Sequence, residues 1–370
     1  MTNSSAFQPQ WTSPPGDTIA DLLAARRLSK GDLAHCLDTS ADFVEDLLQG
    51  REAITLGLAR RLQDTVGGSA AFWMTRDRQY REDVARLREG GLSWLLELPL
   101  QDMERLGWIT SDPYEGFEVE SMLRYFAVRS VTVWRSRYAA VLQDAAFRTS
   151  PTFESRPASV AAWLRQGERI ALTRECDQWD AVALQSTLQE LRTLTRIRDP
   201  QRFLPRLQTA LARCGVAVVV LQAPTGCRAS GAVRWLSEDQ ALLLLSARYL
   251  TDDHFWFTVF HECAHLLLHR GTPIFIDEHS EEEGAAITGM ENEANQFAVE
   301  TLIPLEHQEV LRRARLETFE IVRLAGDIGI APGIVVGQLQ RSGRLPKDRL
   351  NRLKRRFAWE GGALISRGTA

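Results

Sequence analysis

Two histidines and a glutamate stand close together in the C-terminal half of the sequence, as His261-Glu262-Cys263-Ala264-His265. In an α-helix, residues i and i+4 lie on the same face one turn apart, so both imidazoles can bind one Zn²⁺ ion. Glu262 would then lie beside the metal-bound water and take its proton as hydroxide attacks a peptide carbonyl. The motif predicts a zinc-dependent peptidase with one zinc per chain; the alternative is a pair of core histidines held by hydrogen bonds.

A catalytic zinc ion needs a third protein ligand, and the next predicted helix offers candidates. Glu291 and Asn295 are four residues apart in that helix, so Glu291 can reach the metal while Asn295 hydrogen-bonds to a ligand. Glu293 would face another side and is the reserve ligand. His269 is either close to the metal or substrate cleft, or a helix-end histidine that interacts with the helix dipole.

Two longer stretches surround these residues, FWFTVFHECAHLLLH and then ENEANQFAVETLIP. Together they resemble the ImmA/IrrE family of zinc metallopeptidases over about Val216 to Pro304. The family pattern is Phe-Thr-x-x-His-Glu-x-x-His-x-x-x-His, followed by Glu-x-x-Ala-Asn/Asp-x-Phe-Ala and Leu-x-Pro. Ala264 stands where the family often has Gly, a change that removes no ligand.

The resemblance implies that His261, His265 and Glu291 are the zinc ligands and that Glu262 is the catalytic base. Known members cleave a partner transcriptional repressor under stress or prophage induction. A very narrow substrate range is therefore implied here. The oxyanion-stabilising residue stays open among Tyr249, His254 and His307.

The N-terminal region contains several short helical patterns between Gly16 and Gly91, whose apolar residues recur at three and four positions. Its segments PGDTIADLL, LSKGDLAHCLDTSADFVEDLLQGREAIT and FWMTRDRQY resemble the Cro/CI-like (XRE family) helix-turn-helix of HigA-type antitoxins. Ser29 and Ser40 are predicted N-caps, and Gly50 and Gly67 are predicted helix stops.

In that fold the second helix of the motif, here about 40–49, enters the DNA major groove. The residues that the resemblance offers for contacts with DNA or a partner are Lys30, Ser40, Asp42, Phe43, Gln49 and Arg51.

The charge of this region argues against a DNA-binding surface. The second helix has Asp42, Glu45 and Asp46 and no Lys or Arg before Arg51, and residues 1–91 contain 11 Lys and Arg against 13 Asp and Glu. Phosphates would repel such a helix. Two interpretations remain open: binding to DNA, or docking of a protein such as a toxin, a repressor or a second copy of the chain.

The predicted fold is multidomain and mainly α, and its domains differ in character. An all-α helix-turn-helix bundle is followed by a helical middle region and an α+β zincin-like peptidase domain with a small sheet and an HExxH helix. The predicted boundaries are 1–15 for a flexible arm, 16–91 for the helix-turn-helix domain, 92–205 for the middle region, 206–310 for the peptidase core and 311–370 for a C-terminal helical extension.

Within the peptidase core, two apolar runs predict strands, Val216–Leu221 and Ala241–Leu245. Helices are predicted from Asp252 to His269 and from Met290 to Leu302, with an acidic loop, Asp277–Gly284, between them. Earlier in the chain, Thr149–Ser159 predicts a loop and Asp199-Pro200 a boundary.

Composition limits the possible classes of protein. A chain of 370 residues with 44% hydrophobic and 25% charged residues is typical of folded soluble proteins, and the net charge of −4 excludes a generally basic nucleic-acid-binding protein. Five cysteines without CxxC spacing indicate a reducing compartment. No signal peptide or transmembrane run is apparent, so a cytoplasmic protein without membrane contact is predicted.

One basic stretch near the C-terminus departs from this overall charge. It predicts either a surface for nucleic acid or an acidic partner, or simply a solvated helix face. Eight basic residues accompany a single acid, Asp348, and they are Arg341, Arg344, Lys347, Arg349, Arg352, Lys354, Arg355 and Arg356.

The overall prediction is a zinc endopeptidase coupled to a helix-turn-helix module, acting in stress, prophage or toxin–antitoxin regulation. The alternative is a DNA-binding transcriptional regulator or HigA-like antitoxin in which the peptidase fold is a sensor or scaffold without proteolysis.

Overall fold

A computed structural model describes residues 12–111, 118–139, 156–270, 274–277 and 289–368. Most of these residues are helical, and a small sheet lies in the C-terminal half. The prediction of a mainly α protein with more than one domain is therefore confirmed at this level.

Sixteen α-helices occur in the described part of the chain. In chain order they are α1 Pro15–Arg26, α2 Lys30–Leu37, α3 Ala41–Leu48, α4 Leu56–Val66, α5 Ala70–Glu97, α6 Leu100–Arg105, α7 Val119–Tyr125, α8 Val131–Arg137, α9 Pro157–Ala171, α10 Ala181–Leu194, α11 Pro200–Ala212, α12 Asp252–Leu268, α13 Gly289–Leu302, α14 Leu305–Arg313, α15 Thr318–Ile328 and α16 Pro332–Arg341. The strands are β1 Val216–Val220, β2 Gly231–Trp235, β3 Ala241–Leu245, β4 Ile274–Asp277, β5 Arg356–Glu360 and β6 Ala363–Arg367.

The chain divides into two compact units. The first contains Met1–Glu97 and Phe117–Arg137, and the second contains Leu98–Gly116 and Tyr138–Ala370. Within the described residues, no helix is both long and apolar enough to cross a bilayer. All five cysteines are free thiols.

The first unit is built from short, well-capped helices. Ser29 Oγ accepts a hydrogen bond from the Asp32 backbone N–H at 3.1 Å, and Ser40 Oγ accepts one from the Phe43 N–H at 3.1 Å. Both predicted N-caps are thus confirmed, and each satisfies an N–H that the first helical turn leaves without a partner. Gly50 follows the C-cap of α3, and Gly67 is the C-cap of α4. The core of α1–α5 consists of apolar side chains that include Ile19, Leu33, Val44, Leu62 and Trp73.

The four-stranded sheet of the second unit has the order β1-β3-β2-β4. β1 runs parallel to β3, whereas β2 is antiparallel to both β3 and β4. β1 and β3 are buried along almost their whole length, which explains their unbroken apolar sequences. The two predicted strands are confirmed, while β2 and β4 were not predicted.

Helices cover both faces of this sheet. On one face α9 packs so closely that a Cβ at Gly167 would lie 2.6 Å from Leu244. On the other face, alternate strand residues such as Val218 and Leu243 share a core with α10, α11 and α12. Helices α9 and α10 lie in the segment assigned from sequence to a separate middle region, yet their apolar faces help to bury the sheet.

The C-terminal segment corrects one prediction. The helical extension expected over 311–370 holds only through α16, because β5 and β6 form an antiparallel hairpin. Each strand has one buried residue, Phe357 in β5 and Leu364 in β6, and the other residues of the strands are half-buried or exposed. Gly361 and Gly362 have φ of 54° and 80°, so they form the turn between the strands.

Three predicted features lie wholly or partly outside the described residues: the arm up to residue 11, the loop at 149–155 and the acidic loop at 278–284. Pro157 begins α9 as an N1 proline, so the predicted loop does not extend to Ser159. At the predicted boundary, Asp199 caps α11 by accepting from the Gln201 N–H at 3.0 Å.

Candidate metal centre

Helix α12 carries the HExxH motif through the core of the second unit. It has 17 residues, and almost all of its side chains from Asp252 to Leu266 are buried. Large apolar residues such as Phe260 surround the motif, and His261 and Glu262 are both completely inaccessible to solvent. Such burial of polar groups requires partners or a bound ligand.

Two imidazoles and a carboxylate converge at this point. His261 Nε2 and His265 Nε2 are 3.0 Å apart. The Glu291 carboxylate, from the first turn of α13, lies 3.3 Å from His261 Nε2 and 3.4 Å from His265 Nε2. Among the described residues, these three form the one group whose donor atoms, all within 4.8 Å of one another, could hold a metal ion.

The pKa shifts of His265 and Glu291 suit metal ligands. Burial lowers the pKa of His265, which favours its neutral, ligating form. Burial alone would raise the pKa of Glu291, but hydrogen bonds from His261 and His265 outweigh it and hold that pKa far below the usual range. A neutral imidazole and an ionised carboxylate are the forms that bind metal ions.

His269 and Glu293 form a chain of polar contacts that ends at the Nδ1 atom of His265. His265 Nδ1 lies 3.0 Å from His269 Nδ1, and His269 Nε2 lies 3.0 Å from Glu293 Oε2. His269 is also the C-cap residue of α12, so its position fits both interpretations of the sequence, a residue close to the metal ligands and a helix-end histidine. Glu293 contacts His269, which in turn contacts the candidate ligand His265. Such hydrogen bonds fix the orientation of a ligating histidine.

Asn295 lies one turn beyond Glu291 and is 8% exposed. Its Oδ1 is buried and makes no hydrogen bond with the part of the chain that the structure describes. The structure therefore shows no hydrogen bond between Asn295 Oδ1 and a candidate metal ligand among the described residues.

Gly231, the first residue of β2, is a site residue that sequence reasoning missed. A Cβ at this position would overlap Glu262 Oε1 and Thr258 Cγ2. The absence of a side chain thus leaves room for the Glu262 carboxylate. A glycine in a strand can mark a close approach of another group, but β2 itself was not predicted, so there was no local reason in the sequence to single out Gly231.

The remaining candidates near the motif lie elsewhere in the second unit. The Tyr249 and His254 rings stack with centroids 4.2 Å apart at the start of α12. His307 lies in α14, where its Nε2 is 3.9 Å from Glu306. Cys263 is buried in the core, and burial followed by the nearby Glu262 charge raises the pKa of its thiol, consistent with a packing role.

Three of the candidate contact residues of the first unit, Lys30, Gln49 and Arg51, are paired with neighbouring side chains. Lys30 Nζ lies 2.6 Å from Glu45, and Arg51 Nε donates to Asp46 at 2.7 Å. Gln49 donates to Glu45 at 2.8 Å and accepts from Arg51.

The other three candidates in the first unit have different surroundings. Ser40 caps α3, Asp42 is exposed and Phe43 is half-buried against the unit's core. The two basic candidates, Lys30 and Arg51, are thus both ion-paired with acids of α3.

Comparison with known proteins finds a peptidase family that matches part of the second unit. The model of the Peptidase_M78 family, described as an IrrE N-terminal-like domain, matches residues 215–326. This range contains β1–β4, α12–α14 and most of α15, and with them the three candidate metal ligands. The match supports a peptidase of the metallo type in this part of the chain. No curated protein matches the chain.

Proposed function

We propose that the second unit is a zinc-dependent endopeptidase in which His261, His265 and Glu291 hold the metal. The observation that carries this proposal is the meeting of the Glu291 carboxylate with both imidazoles at 3.3 and 3.4 Å. Two histidines and a glutamate are a ligand set of catalytic zinc sites. The family match over the same residues supports the peptidase assignment independently.

When bound, zinc lowers the pKa of water toward about 7 and polarises the scissile carbonyl. Glu262, adjacent to His261 on the same helix, accepts a proton from the attacking water and passes it to the leaving amine. Its burial beside Gly231 holds the carboxylate in one position. His269 and Glu293 keep the His265 ring oriented.

Metal content tests the ligand set. We expect about one zinc per chain in the wild type and in Glu262→Gln, because the substitution leaves all three ligands in place. His261→Ala should lose the metal, while His307→Ala, a matched histidine outside the group, should keep it. Wild-type protein that holds no metal after reconstitution with zinc contradicts the proposal.

Proteolysis tests the chemistry separately. New N-termini generated in a lysate of the source cells are compared for the wild type and Glu262→Gln. We expect cleavage products that only the wild type generates. If the protein is a sensor or scaffold without proteolysis, the wild type and Glu262→Gln should both bind zinc and give the same N-termini in the lysate. This outcome would favour the alternative function.

We propose further that the substrate is one partner protein, such as a transcriptional repressor in stress, prophage or toxin–antitoxin regulation, and that cleavage takes place in the cytoplasm. The support is the sequence resemblance to ImmA/IrrE peptidases together with the peptidase family match. The test is incubation with the repressor encoded beside this gene. An intact repressor after incubation with zinc-loaded protein would exclude that substrate.

We infer that α2 and α3 of the first unit form a helix-turn-helix whose α3 docks a protein rather than DNA. The support for the motif is the three-residue connection between Leu37 and Ala41. The support for a protein partner is electrostatic, because Lys30 and Arg51 are already paired with Glu45 and Asp46. These pairs leave acidic α3 without basic groups for phosphate.

A mobility-shift titration tests whether the first unit binds DNA. The DNA of the chain's own promoter region is titrated with the protein at low salt, where phosphate contacts are strongest. We expect no shift beyond that seen with an unrelated duplex. Specific, salt-sensitive binding would restore the DNA-binding alternative. Light scattering of the same sample reports whether a second copy of the chain is the partner.

A further inference from the structure

The face of α12 that carries the candidate metal ligands continues toward the start of the helix. Residues four apart in an α-helix lie on one face, one turn or about 5.4 Å from each other. Phe257 is one turn before His261, and the centroids of their rings are 6.0 Å apart. Thr258 is likewise one turn before Glu262. The side chains of this preceding turn are therefore next to the metal centre.

A cavity of about 570 Å³ lies along this first half of α12. Four of its lining residues belong to that helix, namely Asp253, His254, Phe257 and Thr258, and α16 contributes Ile334 to the wall. Cavities of roughly 300 to 1,000 Å³ enclose small molecules, so this one has room for a large side chain. An extended peptide advances about 3.3 to 3.6 Å a residue. A residue within two positions of a bond held at the metal centre can therefore reach the cavity.

Buried polar groups line the same cavity. Ser230 is 5% exposed and Asp253 is 6% exposed. Ser230 Oγ, Thr251 Oγ1 and Asp253 Oδ1 make no hydrogen bond with the part of the chain that the structure describes. A buried polar atom without a partner carries its full desolvation penalty. A bound group that forms hydrogen bonds with these atoms would remove that penalty.

The ion pair of Asp253 decides which kind of group fits. Its other carboxylate oxygen, Oδ2, lies 2.6 Å from Lys354 Nζ. An ionised carboxylate accepts hydrogen bonds and donates none, whereas the hydroxyls of Ser230 and Thr251 can do both. All three atoms can therefore accept, and a group that satisfies them together carries N–H or O–H donors.

We propose that this cavity is the specificity pocket of the peptidase and takes a large substrate side chain that ends in a hydrogen-bond donor, such as tyrosine or glutamine. This inference rests on the proposed endopeptidase function. The side chain comes from a residue within two positions of the cleaved bond and packs against Phe257 and Ile334. Its tip donates to Ser230, Thr251 or Asp253. An apolar side chain of similar size leaves these acceptors without partners and is rejected.

Cleavage kinetics identify the side chain that enters the pocket. The starting peptide spans a site that the zinc-loaded wild type cleaves in the lysate and Glu262→Gln does not. Each of the two positions on either side of the cleaved bond is replaced in turn by tyrosine, phenylalanine, glutamine and methionine. At one position we expect kcat/KM to be about tenfold or more higher for tyrosine than for phenylalanine, and for glutamine than for methionine. Calorimetric binding of the same peptides to zinc-loaded Glu262→Gln should show the same order without cleavage.

A double variant locates this preference. Ser230→Ala/Thr251→Val removes two hydroxyls and nearly keeps the shape of the wall, so the preference for tyrosine over phenylalanine should fall by about threefold or more. Zinc content should stay the same. Stability should be unchanged or slightly higher, because neither hydroxyl has a partner within the described residues.

A matched control removes two hydroxyls elsewhere in the second unit. Ser186 and Thr193 belong to α10, where their hydroxyls donate to helix carbonyls at 2.9 and 2.8 Å. No described residue of α10 lines the cavity. Ser186→Ala/Thr193→Val should therefore keep the full preference.

The outcomes separate the pocket from the peptidase activity. Equal cleavage of both members of each peptide pair at all four positions overturns the pocket and leaves the peptidase in place. A preference that Ser230→Ala/Thr251→Val leaves intact, or that both double variants lower equally, also overturns the pocket alone. Failure to find any cleavage site that depends on Glu262 overturns the proposed function, and the pocket with it.

Discussion

Replacement of Gly231 by alanine tests whether the position of Glu262 matters for activity. The added Cβ would overlap Glu262 Oε1 and Thr258 Cγ2, so the carboxylate has to move away from β2. Glu262 lies in a closely packed region and is completely buried, so it has little room to adjust elsewhere. Overpacking of this kind typically costs about 1 to 3 kcal/mol of stability.

The expected effect on catalysis is larger than the effect on folding. A displacement of a reacting group by about 1 Å can lower the rate by about 100-fold. We therefore expect Gly231→Ala to lose about 100-fold in kcat/KM while it keeps its zinc, since none of the three candidate ligands is moved directly by the new methyl group.

The assay combines peptide cleavage, metal analysis and urea denaturation on the same preparation. Gly326→Ala in α15 is the matched control, because a Cβ there meets nothing within 4 Å. That control should be as active as the wild type and equally or slightly more stable. Wild-type activity in Gly231→Ala would refute the placement of Glu262 as the base. Loss of zinc would show instead that the strand supports the ligands.

Three further outcomes are expected from the structure. His269→Ala should weaken zinc binding by about 10- to 100-fold, because His265 loses the hydrogen bond that orients its ring. Competition with a chelator measures the affinity. An unchanged affinity for zinc would show that His269 and Glu293 do not support the metal ligands. Burial, and next the charge of a neighbouring carboxylate, raise the pKa of Asp252 to about 7. Since the pKa of Asp252 is higher in the folded than in the unfolded state, the wild type loses stability as the pH rises from about 4 through 7. In urea denaturation, Asp252→Asn should be more stable than the wild type at pH 8 by up to about 4 kcal/mol, and by less at pH 5. Equal gains in stability at the two pH values would contradict this expectation. Phe357→Ala should cost about 3 to 5 kcal/mol in the same assay if the hairpin shares the core of the second unit, and a cost near zero would show that the hairpin is separate from it.

The elements that local sequence specifies were predictable. The spacing of His261 and His265 brings both rings to one helix face, and α12 and α13 begin and end within a few residues of the predicted positions. β1 and β3 are continuous apolar runs of five residues, and a run of this length and composition predicts a buried strand. The Ser29 and Ser40 caps follow equally local rules.

The elements that depend on partners in space were not predictable. β2 contains Gly231 and Arg234, and it is a strand because it pairs with β3 on one side and β4 on the other. Arg234 would suggest solvent exposure, but its guanidinium pairs with Glu168 of α9, far away in the sequence. The β5–β6 hairpin was missed because each strand has only five residues, of which one is buried, and this is too little to form an apolar pattern.

The ion pairs of α3 could not be predicted from its charges. Counting Asp42, Glu45 and Asp46 correctly indicated an acidic helix, but it could not indicate which basic residues lie beside it. The structure pairs two of these acids with Lys30 and Arg51, which come from outside the helix. Net charge is therefore a poor guide to the groups that remain available to a partner.

The three donors of the metal centre come from two helices that are well separated in the chain. His261 and His265 belong to α12, whereas Glu291 is in the first turn of α13. An ion bound by all three would act as a cross-link that closes the loop from His265 to Glu291, and it would hold the start of α13 against α12. Amide hydrogens of α13 should then exchange faster when zinc is removed by a chelator, while those of β1 and β3 keep their protection. Metal supply would in this way determine how firmly this helix is docked, in addition to determining whether the site can react.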